Sequence, residues 1–216
     1  VGAVSPDGRD TTWFCGGVLI EPSTVLTAAH CLNDARRKAD GSWHVKQDGA
    51  DWQLAVLSNQ DAISADGPQT RAKVLSAETY REGDRRWDRA TVTNDIAVLK
   101  LDRALTGQPL ARLSGARTAD PGLDGHFLFA AGFGQLDATG SWRNVATRSG
   151  GSATAQSEVL QDAVLPLITE ALCNEVYRRI DGRQICAGWS RGKRDTCYGD
   201  SGGPLVALDA AGCPYV

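Results

Sequence analysis

Ser201 stands inside Cys197-Tyr198-Gly199-Asp200-Ser201-Gly202-Gly203-Pro204, where a hydroxyl, a carboxylate and three glycines share five consecutive positions. Glycines at this density let a backbone adopt positive φ and run close to a ligand, at a cost in conformational entropy. The chemistry open to such a stretch is nucleophilic: a serine on a tight turn, with backbone N–H groups aimed at a developing oxyanion. A solvated glycine turn without chemistry carries the same string, so partners elsewhere in the chain must decide.

A nucleophilic serine needs a base. The histidines are His30, His44 and His126, and all precede Ser201. Gly199-x-Ser201-x-Gly203 matches the nucleophile elbow of α/β-hydrolases, but that fold requires the acid and the histidine after the serine. No histidine follows Ser201 here. The order His, Asp, Ser remains. His30 sits in Leu26-Thr27-Ala28-Ala29-His30-Cys31, where small residues leave room around the imidazole. Asp95 stands just before the apolar run Ile96-Ala97-Val98-Leu99. A carboxylate entering a core there is costly unless paired, and an imidazole N–H would satisfy it.

The elements that must position these groups read as short strands separated by turns. Val1–Ser5 leads into the turn Pro6-Asp7-Gly8, Trp13–Ile20 is strand-like, and Val25-Leu26-Thr27 precedes a helical turn at Ala28-Ala29 that delivers His30. Trp52–Val56 alternates with period two and predicts a half-buried strand, whereas Ile96–Leu101 predicts a strand buried on both faces. Residues 33–42 and 81–90 are expected to be solvated loops, 102–125 a crossing segment, and 137–157 a flexible loop. Phe127–Gly132, Val159–Leu165, Ile185–Ala187 and Pro204–Leu208 predict further strands. One helix is expected, with Thr169 as N-cap, Glu170 in its first turn, Leu172, Val176 and Ile180 along one face, and Arg178 and Arg179 in its last turn. Many short strands and one helix argue for an all-β pair of barrels or a sandwich rather than for βαβ units.

Composition sets the class. At 216 residues, 42% hydrophobic and 23% charged, the chain can bury a core and is neither disordered nor membrane-spanning in character. A net charge of -3 with interspersed signs provides no basic stripe for nucleic acid and no polybasic patch for a membrane. Methionine is absent, which leads to the expectation of a processed or trimmed segment. Six cysteines without a Cys-x-x-Cys pair argue against a zinc site and suit disulfides in an oxidising, extracytoplasmic compartment, with free buried thiols as the alternative.

Taken together, Phe14–Ile20, Leu26–Cys31, Asn94–Leu99, Ile185–Gly188 and Asp195–Pro204 make the chain resemble the trypsin-like serine proteases of the chymotrypsin fold. The resemblance implies two antiparallel Greek-key β-barrels with the active site in the cleft between them. Residues 1–112 would form the barrel carrying His30 and Asp95, and residues 113–216 the barrel carrying Ser201 and the specificity pocket. It implies a secreted endopeptidase in which Ser201 attacks the scissile carbonyl, His30 moves the proton and Asp95 orients the imidazole. The amides of Gly199 and Ser201 would form the oxyanion hole, and Asp195 the floor of a pocket for Arg or Lys. Partners are then protein or peptide substrates with Arg or Lys before the cleaved bond, with proteinaceous inhibitors as a further class. No nucleic acid, membrane, cofactor or metal is expected. The loop Asn59 to Asp66 falls where some relatives bind calcium, but the sequence does not define the six or more oxygen ligands required, so no site is assigned.

The resemblance further implies Cys15–Cys31 and Cys173–Cys186 disulfides. Cys197 and Cys213 are left either to bridge each other or with Cys197 lacking its usual partner. Relatives are made as zymogens whose new N-terminal amine inserts beside the aspartate preceding the serine, here Asp200. Val1 aligns better with the first barrel strand than with that terminus, and the chain stops before the last strands of the family. The expectation is a trimmed domain with an incomplete C-terminal barrel. A catalytically silent homologue acting as a binding or adhesion module is the alternative function, although all three triad residues are present.

Overall fold

The computed structural model describes residues 1–58, 71–105, 110–113, 126–135, 156–178, 180, 182–189, 192 and 194–216. Asn59 to Asp66, most of the crossing segment and nearly all of 137–157 lie outside the described residues. Within them, the chain is almost entirely antiparallel β-structure in three sheets.

The largest sheet takes its strands from the N-terminal half, in the order β2 (Thr11–Trp13), β1 (Gly2–Val4), β7 (Ala50–Leu57), β8 (Arg71–Thr79), β11 (Ala97–Leu101), β4 (Thr24–Thr27), β3 (Val18–Glu21). Strands β5 (Ala35–Arg37) and β6 (Trp43–Gln47) join it through β7. A small hairpin, β9 (Arg81–Glu82) and β10 (Arg85–Arg86), lies inside the segment expected to be an open loop. The second large sheet comes from the C-terminal half. Its order is β14 (Cys186–Ala187), β13 (Gln161–Ile168), β12 (Phe127–Gly132), β15 (Leu205–Leu208), β16 (Pro214–Tyr215). This antiparallel, two-part β-architecture agrees with the expected fold class.

Leu54 and Leu99, both fully buried, anchor a core with Ala3, Val25, Val56 and Val74. In β11, burial alternates: Ala97, Leu99 and Leu101 are buried, whereas Lys100 is exposed and its Nζ reaches Glu21 and Thr24. The expectation of a strand buried on both faces is therefore corrected. An antiparallel sheet needs only one covered face, and the lysine marks the other. In β7 the reverse holds: Leu54, Ala55 and Val56 are buried in succession, because the strand lies inside the sheet with β1 and β8 hydrogen-bonded to it. The strand expected to close at Pro166 runs on to Ile168. Leu167 N donates to His126 O at 3.0 Å, so the pairing resumes directly after the proline, which lacks an N–H.

Helix α1 (Glu170–Tyr177) begins as expected, with Thr169 Oγ1 accepting from Leu172 N. Its buried residue is Cys173, disulfide-bonded to Cys186, while Leu172 and Val176 are 50% and 72% exposed. The disulfide fixes which face turns inward, and the apolar stripe faces out. Arg178 takes φ 62 and ends the helix, so Ile180 falls beyond it, held by Asn174.

Candidate active site

The register between β4 and β11 positions the first two groups. Thr27 pairs with Ala97 in antiparallel alignment, so the residues following Thr27 and those preceding Ala97 emerge at the same end of the sheet. A short 3-10 turn, Ala29–Leu32, carries His30 there, and the disulfide Cys15–Cys31 fastens that turn to the chain just before β3. His30 Nδ1 lies 2.7 Å from Asp95 Oδ2, and Asp95 Oδ1 accepts the His30 backbone N–H at 2.8 Å. The carboxylate thus grips the residue twice, by ring and by main chain. The His30 side chain keeps 38% exposure and Asp95 22%, so the ring is open to a reactant while its partner is largely covered.

Ser201 arrives from the other sheet, four residues before β15. Gly16 N donates to Ser201 O at 2.8 Å, and Thr27 Oγ1 donates to Gly16 O at 2.9 Å. The approach of the two sheets leaves no space for side chains. A Cβ on Gly16 would stand 2.7 Å from Gly203 Cα, and one on Gly202, which has φ +78, would stand 2.3 Å from Thr27 Oγ1. The Ser201 carbonyl also lies 3.7 Å from Cys31 Sγ, next to His30. The structure therefore brings Ser201 alongside the His30–Asp95 pair. Its hydroxyl makes no hydrogen bond to His30 Nε2 in this structure. Catalytic hydrogen bonds of this kind are often long in an unliganded site and tighten with substrate.

Gly199 holds φ +102, a conformation suited to glycine, and a Cβ there would stand 2.9 Å from Gln156 Nε2 and 3.2 Å from Gly134 Cα. Among the described residues neither the Gly199 nor the Ser201 amide has an acceptor within the chain, which leaves both N–H groups available to an oxyanion. Asp200 is turned the other way. Its carboxylate accepts from Gly134 N at 2.7 Å and from Cys197 N at 2.9 Å, and Gly132 and Gly134 have no Cβ to obstruct it. The Val1 nitrogen, expected to be no partner of Asp200, donates instead to Cys15 O at 2.7 Å, and burial lowers its pKa to about 5.

Asp195 is exposed and accepts from Thr196 N at 2.8 Å. Cys197 and Cys213 are free thiols, so of the two alternatives for this pair the bridge is not formed. Cys213 is held in the turn between β15 and β16, where Asp209 accepts its N–H and Arg112 reaches its carbonyl. His44 is occupied elsewhere, with Nε2 on Ser42 Oγ at 2.8 Å, and His126 is exposed. Cys15, His30 and Cys31 are close enough to suggest a metal site, but both sulfurs are spent in the disulfide. Sequence reasoning assigned no task to Gly16, Thr27, Gly132 or Gly134, although Gly132-Phe133-Gly134 is a visible glycine pair.

A His–Asp pair across two strand ends, a serine on a glycine turn and two unengaged amides form the arrangement of a serine hydrolase. The chain matches the trypsin family over residues 3–214. It belongs to that family of serine proteases. It is 31% identical to the human transmembrane protease serine 5 over 203 residues, 90% of this chain and 37% of that protein. It is 28% identical to trypsin 5G1 of Aedes aegypti over 207 residues, 94% of this chain and 65% of that protein. It is 30% identical to the vitellin-degrading protease of Bombyx mori over 205 residues, 89% of this chain and 61% of that protein. The trypsin-family chain thus spans from about one third to just under two thirds of the length of these relatives. Among its described residues no helix is long and apolar enough to cross a membrane.

Proposed function

We propose that this trypsin-family chain provides the catalytic machinery of a secreted endopeptidase that cleaves after Arg or Lys through an acyl-enzyme. The observation that carries the reading is the double grip of Asp95 on His30, at 2.7 Å to the ring and 2.8 Å to the backbone. With Nδ1–H donated to the carboxylate, the imidazole presents a basic Nε2 to solvent and to Ser201. Ser201 Oγ attacks the scissile carbonyl as Nε2 takes its proton. The tetrahedral oxyanion is held by the Gly199 and Ser201 amides. Collapse expels the amine, protonated by the imidazolium, and water then repeats the sequence on the acyl-serine. Two disulfides suit an oxidising compartment and support secretion.

Asp195 is the proposed determinant of basic specificity, because a carboxylate at the base of a narrow site pairs with guanidinium or ammonium and penalises apolar groups. Its exposure leaves the carboxylate reachable. Asp200 is the proposed partner of a protonated N-terminal amine, for which it would exchange its Gly134 contact.

The alternative, a silent homologue that binds without cleaving, draws on the Ser201 hydroxyl standing apart from His30 and on Asp200 holding amides. Treatment of the full-length protein with an organophosphonate probe and an Arg-containing peptide separates the readings. Labelling at Ser201 with cleavage after Arg is expected. An unlabelled Ser201 supports the silent module, and labelling with cleavage only after apolar residues removes the role given to Asp195.

A further inference from the structure

The segment between β8 and β11 carries a charge arrangement that the hydrolytic chemistry does not use. In the β9–β10 hairpin, Arg81 stands opposite Arg86 and Glu82 opposite Arg85. Directly opposed residues share a face of the ribbon, and successive residues alternate between faces. One face is balanced: Glu82 Oε2 lies 3.8 Å from Arg85 Nη1 and accepts from the Tyr80 hydroxyl at 2.6 Å. The other sets two guanidinium side chains in register, and like charges directly opposite one another destabilise a strand pair. Both arginines are exposed, and neither side chain has a hydrogen-bond or ion-pair partner among the described residues. The acid nearest in sequence on that face, Asp88, accepts from Ala90 N at 2.8 Å, the main cause of its lowered pKa; the Arg86 charge adds a weaker pull without reaching ion-pair distance.

This hairpin is tied to the active site at several points. Tyr80 N donates to Ile96 O at 2.8 Å, and Asn94 Nδ2 donates to Arg86 O at 2.9 Å. Trp87 Nε1 donates to Asn33 Oδ1 at 3.1 Å. Asn94 immediately precedes Asp95, and Asn33 closes the turn that carries His30. A carboxylate placed between two guanidiniums receives charge-assisted bonds from both and removes their repulsion.

We infer that the β9–β10 hairpin is a docking element for a carboxylate of the protein substrate, so that the enzyme favours chains with Asp or Glu within a few residues of the cleaved bond. This rests on the reading of the chain as an active protease. Arg81 and Arg86 act on substrate position, not on the bond-making step.

The test begins with a mixed peptide library cleaved by the full-length protein, scored for Asp and Glu at each position around the cut. At the position found, a Glu peptide and its Gln counterpart are compared for the wild type and for Arg81→Gln/Arg86→Gln. The double variant should lose about five- to tenfold in kcat/KM on the Glu peptide, through KM, and almost nothing on the Gln peptide. The advantage of Glu should shrink at high salt. No acidic enrichment by the wild type, or an equal loss on both peptides, overturns the inference. Binding of the same two peptides to Ser201→Ala, read by fluorescence anisotropy, keeps the question separate from turnover. Tighter binding of the Glu peptide there supports the docking element even if no peptide is cut, while an absence of cleavage counts against the protease reading alone. Equal binding of the two peptides counts against the docking element.

Discussion

The backbone N–H of Gly16 donates to the carbonyl of Ser201 over 2.8 Å, joining the end of one sheet to the glycine-rich turn of the other. This contact spans most of the chain, and its closeness depends on the absence of side chains at Gly16 and at Gly202 and Gly203 beside Ser201. It sets where Ser201 stands relative to His30, whose neighbour Cys31 is disulfide-bonded to Cys15, adjacent to Gly16.

Gly16→Ala should therefore act on both stability and turnover. The added methyl would meet Gly203 Cα and N at 2.7 Å, and both are backbone atoms that cannot swing aside. Overpacking of this kind costs about 1–3 kcal/mol. Calorimetry should show a fall in Tm of several degrees, and kcat should fall with it because the Ser201 turn is displaced. A variant with unchanged Tm and rate would show that the two sheets do not need this approach.

Asp95→Asn should reduce kcat by about 10⁴-fold, the loss found when the triad carboxylate is neutralised, with KM little changed. The amide can no longer hold Nδ1–H over 2.7 Å as an anion does, and the ring loses its enforced tautomer. Steady-state kinetics on an Arg peptide is the measurement. A loss under tenfold would mean that His30 is oriented by something other than Asp95.

Opening the Cys15–Cys31 disulfide, by replacing both cysteines with alanine, should destabilise the fold by about 3 kcal/mol, given a sequence separation of 16. The corresponding fall in Tm is about 6–12 °C for a chain of this size. Reductant should lower the wild-type Tm by more than it lowers that of the double variant, which keeps only Cys173–Cys186. An equal fall in both would place the effect of reductant at Cys173–Cys186.

A pH dependence should arise at Asp51. Hydrogen bonding from Lys38, then from Lys46, with Arg36 adding its charge, holds this carboxyl well below the usual range. The folded-state pKa is depressed, so the contribution is complete above the unfolded aspartate value of about 3.9 and is lost as pH falls below it. Asp51→Asn should thus lower Tm at pH 7, and the gap to the wild type should close as pH drops below about 4. A gap that stays constant to lower pH would assign the effect of the substitution to packing rather than charge.

Much of the site was legible in the sequence because its residues are defined by local chemistry. Ser201 among glycines, His30 after small residues and Asp95 before an apolar run can each be read within a few positions, and their order excluded the α/β-hydrolase arrangement. The helix start at Thr169 was legible for the same reason, since a cap is a contact between near neighbours. What failed was burial. Val176, on the apolar face of the helix, is 72% exposed, because a disulfide from Cys173 to another strand, not the apolar stripe, turns the helix. Ile96–Leu101 looked buried throughout, yet Lys100 faces solvent on a sheet covered from one side.

The sequence by itself determined the chemical inventory of this protein: a serine among glycines, a histidine, a carboxylate before an apolar run, and cysteines able to staple them. Those follow from side-chain type and spacing over short range. Only the tertiary structure decided which of them meet. His30 and Asp95 are 65 residues apart and touch because β4 and β11 pair Thr27 with Ala97. Ser201, 170 residues beyond Cys31, comes alongside because Gly16 and Gly202 let two sheets close to backbone contact. Strand register and the space left by absent side chains are properties of the packed chain, and they convert separate residues into a site.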